Sequence, residues 1–249
     1  MTTDTSLAII GGTGLTRLPG LEITHREVVH TPYGDPSGPV THGVLHGREV
    51  MFLARHGYGH TIPPHRVNYR ANIWALKHLK VGRVLAVAAV GAIHEALTPG
   101  SLAFPDQIID YTWSRKHTFF EDDLAHVTHV DLTHPYDEEL RRRMMAAAEA
   151  GQIPYQGAGT YGATQGPRLE TAAEIRRLRR DGCDMVGMTG MPEAALAREA
   201  GLRYAACAVS VNWAAGLQGD EVTMEEIEGN LSVGMERVKT LLGALIPAL

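Results

Sequence analysis

The run Arg83–Ile93, RVLAVAAVGAI, is apolar almost without a break. A strand with one wet face alternates apolar and polar side chains. This run does not, and so predicts a central strand covered on both faces. LAII (7–10) and RYAACAVSVN (203–212) have the same character. The first ends in Gly11-Gly12-Thr13-Gly14, the second on Asn212. REVMFLAR (48–55) and SLAFPDQIIDYT (101–112, interrupted at Pro105) also read as strands, and 21–48 as short strands and turns. Helical patterns fall between them. NYRANIWALKHL (68–79) offers Ala71, Ile73, Leu76 and Leu79 to a core, and EELRRRMMAAAEA (138–150) follows. A final helix over 224–246 carries a stripe of Ile227, Leu231, Met235, Val238, Leu241 and Leu242. There is no internal repeat and no composition break. The pattern predicts one α/β domain over 1–249, with a mixed central sheet flanked by helices.

Charge and composition remove several classes of function. The net charge is −5, which gives no basic face for nucleic acid. The dense basic runs, Arg141–Arg143 and Arg176–Arg180, lie in helical patterns and read as solvated faces. Cys183 and Cys207 lie in apolar strands and read as buried thiols, not as a disulfide or a metal pair. No stretch approaches the ~18 apolar residues of a membrane span, and MTTDTSLAII shows no basic leader. A soluble cytoplasmic protein is expected. His117, His126, His129 and His134 crowd the irregular stretch 113–137, but without a metal-ligand spacing.

The segment Thr160–Glu199 invites chemistry. It combines a Gly-Pro turn, an amphipathic helix, the apolar strand CDMVGM, a Thr-Gly loop and a second helix with Pro192 near its start and Gly201 beyond its end. Met188-Thr189-Gly190 stands at the end of a strand and before a helix. It is either an ordinary junction or an anion site made of backbone N–H groups and a hydroxyl. The loop at 11–14 is likewise a candidate phosphate cradle. It is not a dinucleotide fingerprint, because Arg17 stands where the third glycine belongs. Arg55-His56 closes another strand, where an arginine can hold an oxyanion bidentately or form a surface ion pair. Thr13, Arg55, His56, Thr189 and Asn212 thus gather at strand ends, the edge at which open α/β sheets bind ligands.

Five ordered motifs make this more specific: IIGGTGL (9–15), LARHGYGHTIPPH (53–65), AVAAVGAIHEALTPGS (86–101), GPRLETAAE (166–174) and VGMTGMPEAALARE (186–199). Together they resemble the trimeric purine nucleoside phosphorylase family, especially its methylthioadenosine phosphorylase branch, over nearly the whole chain. The resemblance implies phosphorolysis: nucleoside plus phosphate gives free purine plus ribose 1-phosphate. It implies phosphate held by Thr13, Arg55, His56, Thr189 and the backbone at Ala89, with Met188 under the ribose. Leu169, Glu170 and Asn212 would face the purine, with Trp213 and Ala214 also in the substrate site and Glu170 and Asn212 serving catalysis. His60, Met224 and Ile227 would complete the substrate site, and His129 would reach an adjoining site in a homotrimer. Phosphate is a co-substrate, and no metal or organic cofactor is implied.

Two departures bear on the substrate. Methylthioadenosine enzymes carry aspartates at the positions of Asn212 and Ala214 and a serine at Glu170, whereas this chain has the Glu–Asn pair of 6-oxopurine phosphorylases. A 6-oxopurine presents N1–H, which a carboxylate accepts, and O6 and N7, which an amide serves. Met224 and Ile227 fall where methylthio enzymes place aliphatic residues, although both also suit the start of a helix core. An oxopurine base site with an apolar 5′ pocket makes methylthioinosine the expected nucleoside. The runners-up are methylthioadenosine, inosine or guanosine and, outside enzymes, a purine-binding protein on the same fold. Ala88 replaces a threonine of the methylthioadenosine enzymes, which removes one expected phosphate contact.

Overall fold

A computed structural model describes residues 6–122, 124–218 and 221–249; residues 1–5, where the leader question arises, lie outside these. The predicted central strand is β5 (Arg83–Ala92). Along one edge it pairs in parallel with β11 (Arg203–Trp213) over its whole length. Its other edge is shared. β1 (Leu7–Gly11) pairs in parallel at Arg83–Ala86, and β10 (Met185–Gly187) pairs antiparallel at Gly91–Ala92. From β1 the sheet continues through β4 (Arg48–Ala54) and β3 (Val40–Leu45) to an edge strand, β2 (Glu22–Glu27). From β10 it continues through β9 (Thr160–Ala163) to β7 (Gln107–Asp110). Short strands β6 (Leu102–Ala103) and β8 (Tyr155–Gln156) extend the β11 side. The mixed sheet is the one the sequence predicts, and Pro105 falls in the break between β6 and β7.

Alternation along the buried strands assigns the helices to faces. Ala8, Ile10, Val84 and Ala86 face α1 (Tyr69–His78) and α4 (Gly190–Glu199) through Ile73, Leu76, Ala194 and Ala197. Leu7, Ile9, Leu85 and Val87 face α2 (Glu138–Ala150) and α5 (Met224–Leu245) through Leu140, Met144, Val238 and Leu241. Helix α3 (Ala172–Arg180) covers a smaller cluster around Ile93, Val186 and Ala214 with Ile175 and Leu178. Both faces of β5 are therefore buried, which is why its sequence does not alternate. The helix starts are locally encoded. Asn68, Asp137 and Thr223 accept from backbone N–H groups at the starts of α1, α2 and α5, and Thr171 with Glu174 forms a capping box on α3.

Two readings need correction. Arg141 does not belong to a solvated face: it is buried, with its guanidinium donating to the carbonyls of Phe104, Pro105 and Gly157. Those carbonyls lie in the broken β6–β7 connection and its neighbour, where ladder partners are missing, so a fixed multi-donor fork replaces them. Cys183 sits in the turn before β10 and not in a strand, although it and Cys207 are buried and free as expected. Among the described residues no helix is long and apolar enough to cross a membrane.

Candidate active site

β1 and β10 take different stretches of the same edge of β5, so that edge is unpaired from Val87 to Val90. A cavity of about 580 Å³ opens there, lined by Ala88, Ala89, Val90 and Gly91 from β5 itself. This is a switch point of the sheet, where ligands of α/β proteins bind. Gly12, Thr13, Arg55 and His56 enter from the ends of β1 and β4, which run side by side with Gly11 opposite Ala54. Gly12 must be glycine: a Cβ there would lie 2.5 Å from the Val87 carbonyl oxygen and 2.9 Å from Arg55 Nη1.

Arg55 is 1% exposed and Glu193, in the first turn of α4, is 0% exposed. Nε and Nη2 of Arg55 donate to the two Glu193 oxygens at 2.6 and 2.7 Å, and Nη1 donates to Val87 O at 2.8 Å. Tyr204 in β11 donates its hydroxyl to Glu193 Oε1 at 2.9 Å. The bidentate fork expected to take an oxyanion is thus filled by an internal carboxylate. A ligand would find one remaining proton on each of Nη1 and Nη2. Burial works against the Arg55 charge, but Glu193 outweighs it and raises the guanidinium above its usual value. Glu193 had a sequence signal, since it is the one charge in the run GMPEAALA. That acid sits in a helix first turn, where it reads equally as a partner of the helix dipole.

His56 donates from Nδ1 to Ile62 O at 2.8 Å, which fixes the tautomer because a carbonyl can only accept. Burial, then the Arg55 charge, push its pKa down to about 4. The ring is neutral at physiological pH and Nε2 is an acceptor. His60 packs edge-on to His56 at 5.2 Å, and its Nε2 lies 3.2 Å from Thr13 Oγ1.

At the end of β10, Thr189 makes no side-chain cap bond to α4, so its hydroxyl is not consumed by the helix. Met191 is extended and the regular helix starts at Pro192. The turn is held from two sides. Arg115 is buried and donates to Met188 O at 2.9 Å, Met191 O at 2.6 Å and Gln165 O at 2.8 Å. Tyr161 lies beneath, and a Cβ on Gly187 would meet its hydroxyl at 2.0 Å. Nothing in the irregular stretch 113–137 singled out Arg115, because its role is to gather carbonyls from two other segments, 164–165 and 188–191.

Glu170 and Asn212 line the same cavity with Leu169, Met188 and Ala214. Thr164 donates to Glu170 Oε1 at 2.6 Å, leaving Oε2 available. Asn212 Nδ2 donates to Trp213 O at 2.7 Å, which fixes the amide orientation and leaves its second N–H and Oδ1 available. Met224 and Ile227, with the unpredicted Val222, bring the start of α5 to the cavity, and Asn230 anchors this turn by donating to Val211 O at 3.0 Å. Met224 remains 64% exposed. Trp213 is a correction. Consecutive strand residues point to opposite faces, so between Asn212 and Ala214 its side chain packs on the α1–α4 core and does not line the cavity. His129 is exposed and also does not line it.

An α/β sheet whose split central edge carries hydroxyls, an arginine, a neutral histidine and a Glu–Asn pair has the make-up of an enzyme site for an anion and a polar small molecule. The chain belongs to the phosphorylase superfamily, whose family model matches residues 6–247. A protein of Pseudomonas syringae pv. tomato named probable S-methyl-5′-thioinosine phosphorylase is 57% identical, covering 98% of this chain and 99% of its own length. The 6-oxopurine nucleoside phosphorylase of Pyrococcus furiosus is 47% identical, covering 97% and 92%. The methylthioadenosine phosphorylase of Schistosoma mansoni, solved with adenine, superposes with a TM-score of 0.93 at 32% identity, covering 98% and 91%. The protein is an enzyme of the purine nucleoside phosphorylase type, a pentosyltransferase.

Proposed function

We propose that the enzyme cleaves S-methyl-5′-thioinosine with inorganic phosphate, giving hypoxanthine and 5-methylthioribose 1-phosphate in purine salvage. The observation that carries this reading is one cavity joining Glu170 and Asn212 to the apolar Val222, Met224 and Ile227. The names of the relatives at 57% and 47% identity agree with a 6-oxopurine base.

In this reading Glu170 Oε2 accepts the purine N1–H, and Asn212 donates its free amide N–H toward N7 and O6. As the glycosidic bond breaks, negative charge flows onto the purine and the Asn212 contact strengthens. Positive charge builds on the sugar, and phosphate below C1′ stabilises it and then attacks. Thr13, Thr189, the unpaired β5 backbone at Ala89 and the spare Arg55 protons hold that phosphate, while the neutral His56 accepts from its protonated oxygen. The gain is positioning and electrostatics; phosphate is the nucleophile, and no metal or organic cofactor takes part. The protein works in the cytoplasm as a homotrimer. The exposed Leu124, Val127 and Val130 around His129 suit burial against a neighbouring subunit, placing His129 at that subunit's site.

The test is parallel incubation with methylthioinosine, methylthioadenosine and inosine, with and without phosphate, following base release by chromatography. Phosphate-dependent hypoxanthine release, fastest from methylthioinosine, is expected. Faster adenine release would overturn the base assignment and keep the mechanism. Purine binding with no release from any of the three would favour a binding protein.

A further inference from the structure

The edge strand β2 pairs antiparallel with β3, and the register sets His25 directly opposite His42. Glu27, two residues along β2, shares the face of His25. The two imidazoles stack with centroids 4.2 Å apart. One ligand atom from each of His25, Glu27 and His42 falls within 4.8 Å of the others, and no other such His, Cys, Asp or Glu group occurs among the described residues.

One buried polar atom of the cluster is unpartnered. His42 Nε2 lies 3.1 Å from Glu27 Oε2, yet it is buried and has no hydrogen-bond partner. The approach is not aligned for a hydrogen bond, and a cation held by both groups would satisfy the buried nitrogen. Thr24 gives its hydroxyl proton to His42 O at 3.2 Å, so its oxygen can accept from His25 Nδ1, also at 3.2 Å. That leaves the His25 Nε2 lone pair available, the usual support of a metal-bound histidine.

We propose that His25, Glu27 and His42 form a binding site for a divalent transition-metal ion, with zinc as the occupant. Two imidazoles and one carboxylate are zinc ligands, and they disfavour magnesium and calcium, which prefer all-oxygen shells. Tetrahedral zinc sets its donors roughly 3.4 Å apart, so small rotations of the exposed His25 close the site around it. Water completes the shell. None of the three residues lines the nucleoside cavity, so the ion is structural. It clips β2 to β3 beside a register shift between Ile23 and His25. β2 is exposed at every residue but its last, and gains little from burial.

The test uses the full chain, stripped with a chelator and titrated calorimetrically with zinc chloride in phosphate-free buffer. One zinc per chain is expected, with affinity weakened about tenfold or more in His25→Ala and in Glu27→Gln. Cobalt should give tetrahedral visible absorption that both variants lose, and zinc should raise the melting temperature of the parent protein alone. His25 and Glu27 are the substituted residues because both are more accessible than His42, and the circular dichroism of the variants checks their fold. Absence of stoichiometric zinc binding, or folded variants that bind zinc as the parent does, overturns the proposal.

Discussion

Arg55 and Glu193 lie 138 positions apart in sequence and form a two-point ion pair wholly inside the protein, at 2.6 and 2.7 Å. The pair joins the end of β4 to the start of α4 across the split edge of β5, and Arg55 lines the cavity. The geometry of a fully buried guanidinium is set by its carboxylate partner. Glu193 is therefore a positioning residue for whatever Arg55 contacts.

Removing Glu193 should cost both stability and phosphate handling. Glu193→Ala leaves a buried guanidinium uncompensated, a loss of about 3–5 kcal/mol. Glu193→Gln keeps the shape and one acceptor, so it should fold more readily while raising the KM for phosphate more than that for nucleoside. Urea denaturation and initial rates at varied phosphate measure the two effects. An unchanged phosphate KM in folded Glu193→Gln would show that the pair is structural alone.

Base choice should follow the donor–acceptor pattern. In the double variant Glu170→Ser with Asn212→Asp, the acceptor for N1–H is lost and an acid stands where adenine N7 can be protonated. Each mismatched contact is worth roughly 1–3 kcal/mol, or about 5- to 150-fold. The ratio of kcat/KM for methylthioadenosine to methylthioinosine should rise by at least the lower figure. Thr164 should be left in place, because its bond at 2.6 Å orients the residue at 170.

What the sequence makes legible divides along physical lines. Continuous apolar runs and capping residues act locally, so β5, β11, α2 and the mixed sheet can be read from them. The resemblance names Thr13, His56, Glu170, Thr189 and Asn212, and the fold brings them to one cavity. The illegible parts depend on distant partners. Arg141 looks like a surface charge until the broken β6–β7 connection gives it two carbonyls and the chain after β8 a third. Arg115 lies in irregular chain, and Glu193 mimics a helix-dipole acid until Arg55 arrives from another strand. Trp213 is misread because adjacency in a motif is not adjacency in space along a strand.

Acid should expose the cost of keeping His56 neutral. Its folded pKa of about 4 lies below the ordinary imidazole value of about 6.5, so between these values the unfolded chain binds more protons than the folded one. Stability is full above the upper value, falls as pH drops through the window, and levels off below the lower one. The contribution is about 3 kcal/mol at most. Denaturation at pH 7 and pH 4.5 should show a larger loss in the parent protein than in His56→Gln. Equal losses would mean that His56 is not held neutral.

Selectivity for the 5′ substituent should reside in the first turn of α5. Val222, Met224 and Ile227 line the cavity, and Ile227 packs in part against the α2–α5 core. A methylthio group laid on them removes apolar surface from water on both sides, whereas a 5′-hydroxyl there loses hydrogen bonds to water and gains none. Covering a methylthio group is worth about 1–2 kcal/mol, or about 5- to 30-fold in kcat/KM. Ile227→Asn supplies a polar partner at the cost of that surface. It should lower kcat/KM for methylthioinosine by about tenfold while leaving inosine unchanged or improved. Leaving the hydrophobic stripe Met235, Val238 and Leu241 intact limits the damage to the helix, since these residues carry its buried face. The decisive quantity is the ratio of the two specificity constants, because a general loss of folding lowers both equally. A ratio that does not move would place the 5′ group against another wall of the cavity and remove the structural reason for preferring a methylthio nucleoside.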